Sequence, residues 1–244
     1  MIIGGLQKTT LIDFPSRVAC TVFTVGCNFR CPYCHNRDLV SWDLFKKSKI
    51  KPIKEKDFFE FLEKRKKILD GVCITGGEPT LQPDLCGFCQ KIKAMGLEVK
   101  LDTNGSNPEV LKQLIDKKLI DFVAMDIKTA FGDYAKTVFK SKNKNSALIY
   151  KIKKSIKIIL ESGLEYEFRT TIVPKIHTRK KLVGLVKQLK SLDTEFKWTL
   201  QQFRPQNCLD PDFLKVQPFN ERELENILTG IKKVLRQTKI KGIN

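Results

Sequence analysis

The sequence predicts an α/β fold in which helices flank a parallel β-sheet. Six runs rich in β-branched and aromatic residues recur along the 244-residue chain, as expected of strands. A helical pattern follows each run, and strict alternation of strands and helices is typical of parallel sheets. Six units are too few for an ordinary eight-stranded barrel, so the pattern allows an open barrel or a doubly wound sheet. No linker or repeat interrupts it, and we expect a single domain over residues 1–244.

The predicted elements follow one another along the chain in a regular order. A helix with apolar residues at three-to-four spacing covers 148–159 and ends at Gly163, and another begins after Thr178. The last helix opens with Asn220 and, three residues later, Glu223, which is the pattern of a capping box. The strands are predicted at 18–25, 71–75, 98–102, 122–127, 166–172 and 196–202.

The charge of the chain is strongly basic, with a formal net charge of +18. The lysines lie mostly on the polar sides of helical patterns, which favours a solvated surface, and the stretch 140–146 is interpreted as a surface excursion. A docking face for an acidic protein is the alternative. Aromatic residues are not interleaved with the lysines as in a platform for single-stranded nucleic acid, so nucleic acid is not expected as a partner.

The chain shows no sign of a membrane or secretory location. It has no uninterrupted apolar run of eighteen residues, and its N-terminus lacks the basic-then-apolar order of a signal peptide. We therefore expect a cytoplasmic protein. In that reducing compartment the eight cysteines are expected to be thiols or metal ligands rather than disulfides.

Unusual residues fall at the carboxyl ends of five predicted strands and, as Arg169, on the remaining one. In both candidate architectures ligands bind at this edge of the sheet, so the pattern predicts one binding site there. In chain order these residues are Cys27, Cys31 and Cys34; "GGEP" from Gly76 to Pro79; "DTNG" from Asp102 to Gly105; "DIK" from Asp126 to Lys128; Arg169; and Gln202.

Three cysteines within eight residues can be explained by two kinds of metal site. A structural zinc site needs four ligands, which Cys86 and Cys89 would complete together with Cys31 and Cys34. That separation is longer than in a zinc ribbon, it leaves Cys27 unused, and Cys86 and Cys89 are interpreted as buried apolar residues of a helix. A 4Fe-4S cluster held by three cysteines would leave one iron open to a substrate or cofactor.

The Cys-x3-Cys-x2-Cys spacing, with Tyr33 before the last cysteine, resembles the signature of radical S-adenosylmethionine enzymes. In that family a glycine-rich turn such as "GGEP" follows the second strand and meets the methionyl amino group. The resemblance implies a partial (β/α)6 barrel, a 4Fe-4S cluster on Cys27, Cys31 and Cys34, and S-adenosylmethionine on the open iron.

A narrower resemblance covers nearly the whole chain. The blocks "GGLQKTTLIDFPSRVACTVFTVGCNFRCPYCHNRDLV", "GVCITGGEPTLQPDL", "VKLDTNGSNPEVL", "AMDIKT", "YEFRTTIVP" and "LQQFRPQNCLDPDF" are similar to those of the activating proteins of anaerobic ribonucleoside-triphosphate reductase, a branch of the glycyl radical enzyme activases. The resemblance implies reductive cleavage of S-adenosylmethionine and removal of a hydrogen atom from a glycine of the partner enzyme. A flavodoxin-like or other low-potential protein would supply the electron. Cys86, Cys89 and "FKSKNKNS" depart from these blocks at positions outside the motifs.

The resemblance also implies roles for the residues at the strand ends. Tyr33 would pack on the adenine, Gly76 and Gly77 would admit the methionyl group, and Glu78 would hold the turn or the amino group. Asp102 and Asp126 would offer carboxylates to the ammonium, the ribose or a monovalent cation. Lys128 and Arg169 would offer positive charge to the cofactor carboxylate. The amides of Asn104 and Gln202 would assist.

Two other functions stay open on the sequence. One is a radical enzyme acting on a small molecule, similar to 7-carboxy-7-deazaguanine synthase, against which the block "LIDFPSRVACTVFTVGCNFRC" favours an activase. The other is a non-catalytic module that binds zinc or nucleic acid. His35 and His177 are expected to be structural.

Overall fold

The computed structural model describes residues 1–139, 145–193, 195–236 and 239–241, so residues 140–144 of the predicted excursion lie outside the described residues. All six predicted strands are confirmed, and the described part of the chain contains two more. Its strands are β1 (Ile3–Thr10), β2 (Ala19–Thr24), β3 (Gly71–Gly76), β4 (Glu98–Thr103), β5 (Phe122–Asp126), β6 (Glu165–Ile172), β7 (Trp198–Gln202) and β8 (Lys239–Lys241).

The helices of the described residues follow the strands as the sequence predicts. They are α1 (Trp42–Lys47), α2 (Glu55–Arg65), α3 (Leu85–Ala94), α4 (Pro108–Asp116), α5 (Tyr134–Phe139), α6 (Ser146–Glu161), α7 (Arg179–Lys190) and α8 (Glu221–Lys232). The predicted helix ends are confirmed. Thr178 caps α7, Asn220 and Glu223 form a reciprocal capping box at α8, and Gly163 takes the left-handed φ of 72° just after α6.

The chain divides into two compact units, each built from several segments. The first contains Met1–Asn28, Asn36–Thr103 and Asn107–Ala124, and the second contains Phe29–His35, Asn104–Ser106 and the described residues from Met125 onward. The predicted cysteine loop therefore contributes to both units. The single domain expected from the sequence stays a prediction.

The first unit is organised around parallel pairing of β2, β3 and β4. β2 and β3 are in register from Ala19↔Gly71 to Thr24↔Gly76, so their carboxyl ends are level. β1 pairs antiparallel with β2. The sequence did not predict β1, because its "IGGLQKTT" has few β-branched residues and leaves Gln7–Thr9 exposed to solvent.

The second unit contains parallel pairs of β6 with β7 and of β7 with β8. Buried side chains link β7 to β6 and to the residue after β5: Trp198 Nε1 donates to Thr170 Oγ1 at 3.1 Å, and that hydroxyl donates to the Ile127 carbonyl at 2.6 Å. Among the described residues, no helix has both the length and the apolar character that a membrane crossing would require.

Candidate functional site

The cysteine loop and the glycine-rich turn are joined through backbone atoms in the first unit. The loop leaves β2 where the turn leaves β3, and the two strands end level. Gly77 N donates to Thr24 O at 2.9 Å, and Glu78 N donates to Gly26 O at 2.8 Å. On the other side, Cys27 N donates to Val40 O at 2.9 Å. Cys27 is thereby held beside the turn by hydrogen bonds that depend on no side chain.

This close approach requires glycine at two positions of the turn. Gly76 has a φ of 110°, which residues with a side chain rarely adopt. A Cβ atom added to Gly77 would lie 2.1 Å from the Gly26 carbonyl oxygen, well inside van der Waals contact. The turn therefore presents bare backbone, as a close approach to a ligand requires.

The Glu78 carboxylate stabilises the same turn. The residue is 1% exposed, and its Oε1 accepts hydrogen bonds from Thr80 N at 3.2 Å, Thr80 Oγ1 at 2.5 Å and Thr103 Oγ1 at 2.7 Å. Of the two roles expected for Glu78, holding the turn is the one that these contacts perform. Thr80 and Thr103 were not predicted, since a threonine beside a buried carboxylate has no signal in sequence.

Asp102 lies at the end of β4 and forms an ion pair with Lys100 of the same strand. Lys100 is 1% exposed, and its Nζ also lies 3.7 Å from Cys73 Sγ. Lys100 was not predicted as a site residue. Its signal was a lysine between the apolar residues Val99 and Leu101 of a predicted buried strand, where a cation needs a partner.

The remainder of the cysteine loop is fixed within the second unit by residues 204–210, which we call the clasp. His35 Nε2 lies 2.6 Å from the Arg204 carbonyl oxygen, and Asn207 Nδ2 donates to His35 O at 2.9 Å. Asp210 N donates to Pro32 O at 2.9 Å. The loop bearing Cys31 and Cys34 is thus held by a segment about 170 residues later in the chain, which no local pattern could reveal.

A half-buried charged cluster follows β5 in the second unit. Asp126 accepts from Lys128 Nζ and from Arg169 Nε, each at 2.9 Å. Burial would raise the pKa of Asp126, but the charges of Arg169 and Lys128 outweigh it and hold that pKa well below its ordinary value. Burial would lower the pKa of Lys128, but the negative charge of Asp126 outweighs burial and holds that pKa well above its usual range. Asp126 thus pairs with two cations.

Tyr33 lies close to this cluster. Burial, and next the neighbouring Cys31, raise the pKa of the Tyr33 phenol, while Lys128 acts in the opposite direction. Tyr33 is 5% exposed, and its ring lies 6.5 Å from that of Phe213. The phenol oxygen is buried and has no hydrogen-bond partner among the described residues. A buried polar atom of this kind is expected to meet a ligand or an ordered water.

Two predicted amides have different surroundings. Asn104 Oδ1 accepts from Ser106 N at 2.9 Å, so this side chain shapes its own turn. Gln202 Nε2 donates to Phe219 O at 2.6 Å, whereas its buried Oε1 has no partner within the described ranges. Gln202 is therefore the better placed of the two to accept a hydrogen bond from a ligand.

His177 connects the loops that follow β5 and β6. Its Nδ1 accepts from Val173 N at 3.0 Å, and its Nε2 lies 3.0 Å from the Lys128 carbonyl oxygen. The ring is 1% exposed, and burial lowers its pKa to about 4. A neutral ring with the proton on Nε2 satisfies both contacts, so His177 positions the backbone of Lys128. This agrees with the structural role expected for it.

The cysteines of the loop differ in environment from those elsewhere. Cys31 is 7% exposed, and Cys27 and Cys34 are half-buried. Cys89 is fully buried in α3, as predicted, and burial raises its pKa to about 12. The expectation that Cys86 is also buried was wrong: it is half-buried, because the buried face of α3 is formed by Leu85, Phe88, Cys89 and Ile92. Cys27 and Cys34 are therefore open to a metal centre beside the buried Cys31, whereas Cys89 is held as a neutral thiol.

These residues fit a cluster and its cofactor in kind. A 4Fe-4S cluster binds each cysteine to a different iron, so its ligands need not converge on one point, and the described residues contain no group of three His, Cys, Asp or Glu around a single-ion site. In the first unit the bare turn at Gly77 allows a ligand to approach the backbone closely, and in the second unit the buried oxygens of Tyr33 and Gln202 are available to a polar group.

The structure places the predicted residues in two groups. Within the first unit it brings Cys27 next to the glycine-rich turn, with Asp102 on β4. Within the second it gathers the residues of the charged cluster around part of the cysteine loop: Cys31, Tyr33, Asp126, Lys128 and Arg169. Asn104 and Gln202 lie on other segments of the second unit.

Comparison with known proteins supports the same chemistry. The family model described as the radical SAM superfamily matches residues 21–189. A Methanocaldococcus jannaschii protein named as a glycyl-radical enzyme activating enzyme is 34% identical over 244 residues, covering 100% of this chain and 97% of its own. The pyruvate formate-lyase-activating enzyme of Clostridium pasteurianum is 27% identical over 200 residues, covering 78% of each chain.

A solved structure shares the fold. Streptococcus suis SuiB bound to S-adenosylmethionine aligns with a TM-score of 0.63 at 14% identity, covering 91% of this chain and 49% of that one. The likeness confirms the fold class predicted from the sequence, a partial (β/α)6 barrel.

Proposed function

The chain belongs to the glycyl-radical enzyme activating enzymes of the radical SAM superfamily, and from that premise we propose that it activates an anaerobic ribonucleoside-triphosphate reductase. Enzymes of this superfamily use a 4Fe-4S cluster and S-adenosylmethionine. When bound, the cluster supplies the electron for reductive cleavage of S-adenosylmethionine, which yields the radical that takes a hydrogen atom from a glycine. The observation that carries the proposal is the backbone bonding of the cysteine loop to the glycine-rich turn at the level ends of β2 and β3.

The protein's part in this chemistry is to hold the reactants and exclude water. Cys27, Cys31 and Cys34 are the proposed iron ligands. The bond from Cys27 N to Val40 O and the clasp hold the two ends of their loop. A loop fixed at both ends would keep the three thiolates in position to hold the cluster.

For the cofactor, Gly76 and Gly77 are proposed to face the methionyl group, which their bare backbone allows to approach. Glu78 fixes the turn that presents them. Tyr33 is proposed to pack on the adenine, with its buried hydroxyl available to a polar group of the ligand. Gln202 Oε1 is proposed as an acceptor for a donor on the cofactor, with Asn104 supporting its own turn.

The charged residues divide by sign. Lys128 and Arg169 are proposed to offer positive charge to the carboxylate of S-adenosylmethionine, with Asp126 holding the two cations in place. Asp102 and Asp126 are each proposed as a carboxylate for the ammonium, the ribose or a monovalent cation. Because Asp102 already pairs with Lys100, its contribution is expected to be the smaller.

The partner is proposed from the sequence blocks that resemble activators of the reductase. Pyruvate formate-lyase is the second candidate, because a relative covering 78% of this chain is named for that partner. A flavodoxin-like or other low-potential donor and a cytoplasmic location complete the proposal. An enzyme acting on a small molecule is less favoured, since an activating enzyme aligns with the whole chain at 34% identity.

Anaerobic reconstitution tests the chemistry. We expect about four irons per chain, lost when Cys27, Cys31 or Cys34 is replaced by Ala and retained in Cys89→Ala. Reductant and S-adenosylmethionine should then yield 5′-deoxyadenosine and methionine. Stoichiometric zinc that depends on Cys89 would instead establish the zinc module.

The partner is tested by presenting the reduced, loaded activase with either candidate enzyme. A glycyl radical detected by electron paramagnetic resonance on the reductase, and absent from pyruvate formate-lyase, is the expected result. The opposite pattern would replace the reductase by the lyase and leave the activase chemistry intact.

A further inference from the structure

A groove of about 600 Å³ lies between α7 and α8 in the second unit. Its floor is formed by Val183 and Gly184 of α7 and by Gly230 and Val234 from α8 and the turn after it, all buried or half-buried. The volume is in the range of sites that take a compact organic group or a few side chains. None of these residues belongs to the candidate active site.

The groove exists because two helix positions lack side chains. A Cβ atom at Gly184 would meet nothing within 4 Å, so the space above it is open. A Cβ atom at Gly230 would lie 2.4 Å from Arg179 Nε, so the absence of a side chain lets Arg179 lie across α8. Glycine in a helix interior costs about 0.5–1 kcal/mol relative to Ala, and α7 and α8 each contain one beside the groove.

The edge of the groove is basic. Arg179, Lys180, Lys187 and Lys233 line it and are exposed, and none of the four forms an ion pair with a described residue. No acidic residue within the described ranges lines the groove. By contrast the adjacent Lys181 pairs with Asp133 at 2.9 Å. An apolar floor with four unneutralised cations around it is complementary to a ligand of the opposite pattern.

We propose that this groove docks an acidic segment of a partner protein, with one apolar side chain in the floor and carboxylates against the surrounding cations. A free phosphate would leave the apolar floor unused. Single-stranded nucleic acid would need aromatic side chains for stacking, and none lines the groove. An apolar anchor supplies affinity and the surrounding charges supply orientation and rate of encounter.

Binding is measured by fluorescence anisotropy on the full, reconstituted chain. The probe is a labelled peptide of Asp and Glu residues with one central Leu, and its partner probe has Ser in place of Leu. We expect the Leu peptide to bind the more tightly, with an affinity that falls as salt rises past about 0.1 M. Equal affinity for the two peptides would overturn the proposal, because it would leave only diffuse charge attraction.

The basic edge is tested with Lys180→Glu, Lys187→Glu and Lys233→Glu combined. We expect the Leu peptide to bind about tenfold more weakly or worse. The matched control makes an equal change in net charge at three exposed lysines of the first unit: Lys47→Glu, Lys64→Glu and Lys67→Glu. If both triple variants weaken binding equally, the groove has no special role and the proposal fails.

The floor is tested by Gly184→Phe, which fills the open space without changing charge. A larger residue also has a better helix propensity than glycine, so the thermal stability should not fall. We expect affinity for the Leu peptide to drop to that of the Ser peptide. If this variant binds the Leu peptide with unchanged affinity, an acidic protein segment is refuted as the occupant. The same holds if the unmodified chain binds a dT12 oligonucleotide more tightly than the Leu peptide and the groove variants abolish that binding.

Discussion

Lowering the pH from 7 to 5 is expected to weaken the second unit through His177. Its Nδ1 accepts a hydrogen bond from Val173 N, so protonation of Nδ1 would place its hydrogen against the hydrogen of the Val173 amide. Burial lowers the pKa of His177 from 6.5 to about 4. A depressed histidine pKa means that the unfolded chain binds the proton first. The stability contributed by the neutral ring is therefore complete above pH 6.5 and declines as the pH falls toward 4.

The size of the effect follows from the two pKa values. For a shift from 6.5 to about 4, linkage gives a loss of about 2 kcal/mol between pH 7 and pH 5. For a chain of this size such a loss lowers the melting temperature by roughly 4–8 °C.

The measurement compares the cluster-free chain with its His177→Gln variant in urea, at several pH values, by tryptophan fluorescence. Trp198 is 1% exposed and lies in the same unit, so its emission reports the relevant transition. The variant should be less stable at pH 7, and its deficit should shrink by about 2 kcal/mol at pH 5. The other histidine, His35, is present in both proteins and cancels. A deficit that stays constant with pH would show that His177 does not titrate as the geometry requires.

Further perturbations address the turn, the charged cluster and the basic surface. Gly77→Ala should abolish S-adenosylmethionine binding, measured by equilibrium dialysis, because its Cβ would collide with Gly26 O. The control is Gly87→Ala, whose Cβ meets nothing within 4 Å, and equal binding by the two variants would refute the steric argument. Arg169→Met should weaken cofactor binding by on the order of 1–3 kcal/mol with iron content unchanged, and loss of iron would instead assign Arg169 to the fold. Activation by a protein donor should slow as the Debye length falls from about 10 to 3 Å, while activation by dithionite should not; parallel salt curves would remove electrostatic steering.

The sequence predicted elements whose signal is local. Strands from β2 to β7 have β-branched runs, and the capping box at Asn220 and the stop at Gly163 are short patterns that tertiary packing did not override. The cysteine spacing was informative because only a few metal centres fit three thiolates on one loop. β1 was missed because pairing with β2, rather than its own composition, makes it a strand.

The site contacts that sequence could not supply are long-range or buried. The clasp meets the cysteine loop from about 170 residues away, and nothing near Arg204 or Asn207 marks that contact. Lys100 could have been noticed as a cation inside an apolar strand, but its partner Asp102 was already assigned to the cofactor. The pairing of both Lys128 and Arg169 with Asp126 likewise depends on which side chains the fold brings together.

The assignment of Phe29–His35 to the second unit has a consequence for synthesis of the chain. Cys31 and Cys34 leave the ribosome early, but Asn207 and Asp210, which hold their loop, are made much later. At about 5–20 residues per second the delay is roughly 10–35 s. During that interval the nascent loop is open to oxidants and to stray metals, so iron delivery is expected to follow release of the finished chain. Exclusion of oxygen would therefore protect these thiols during translation as well as after folding.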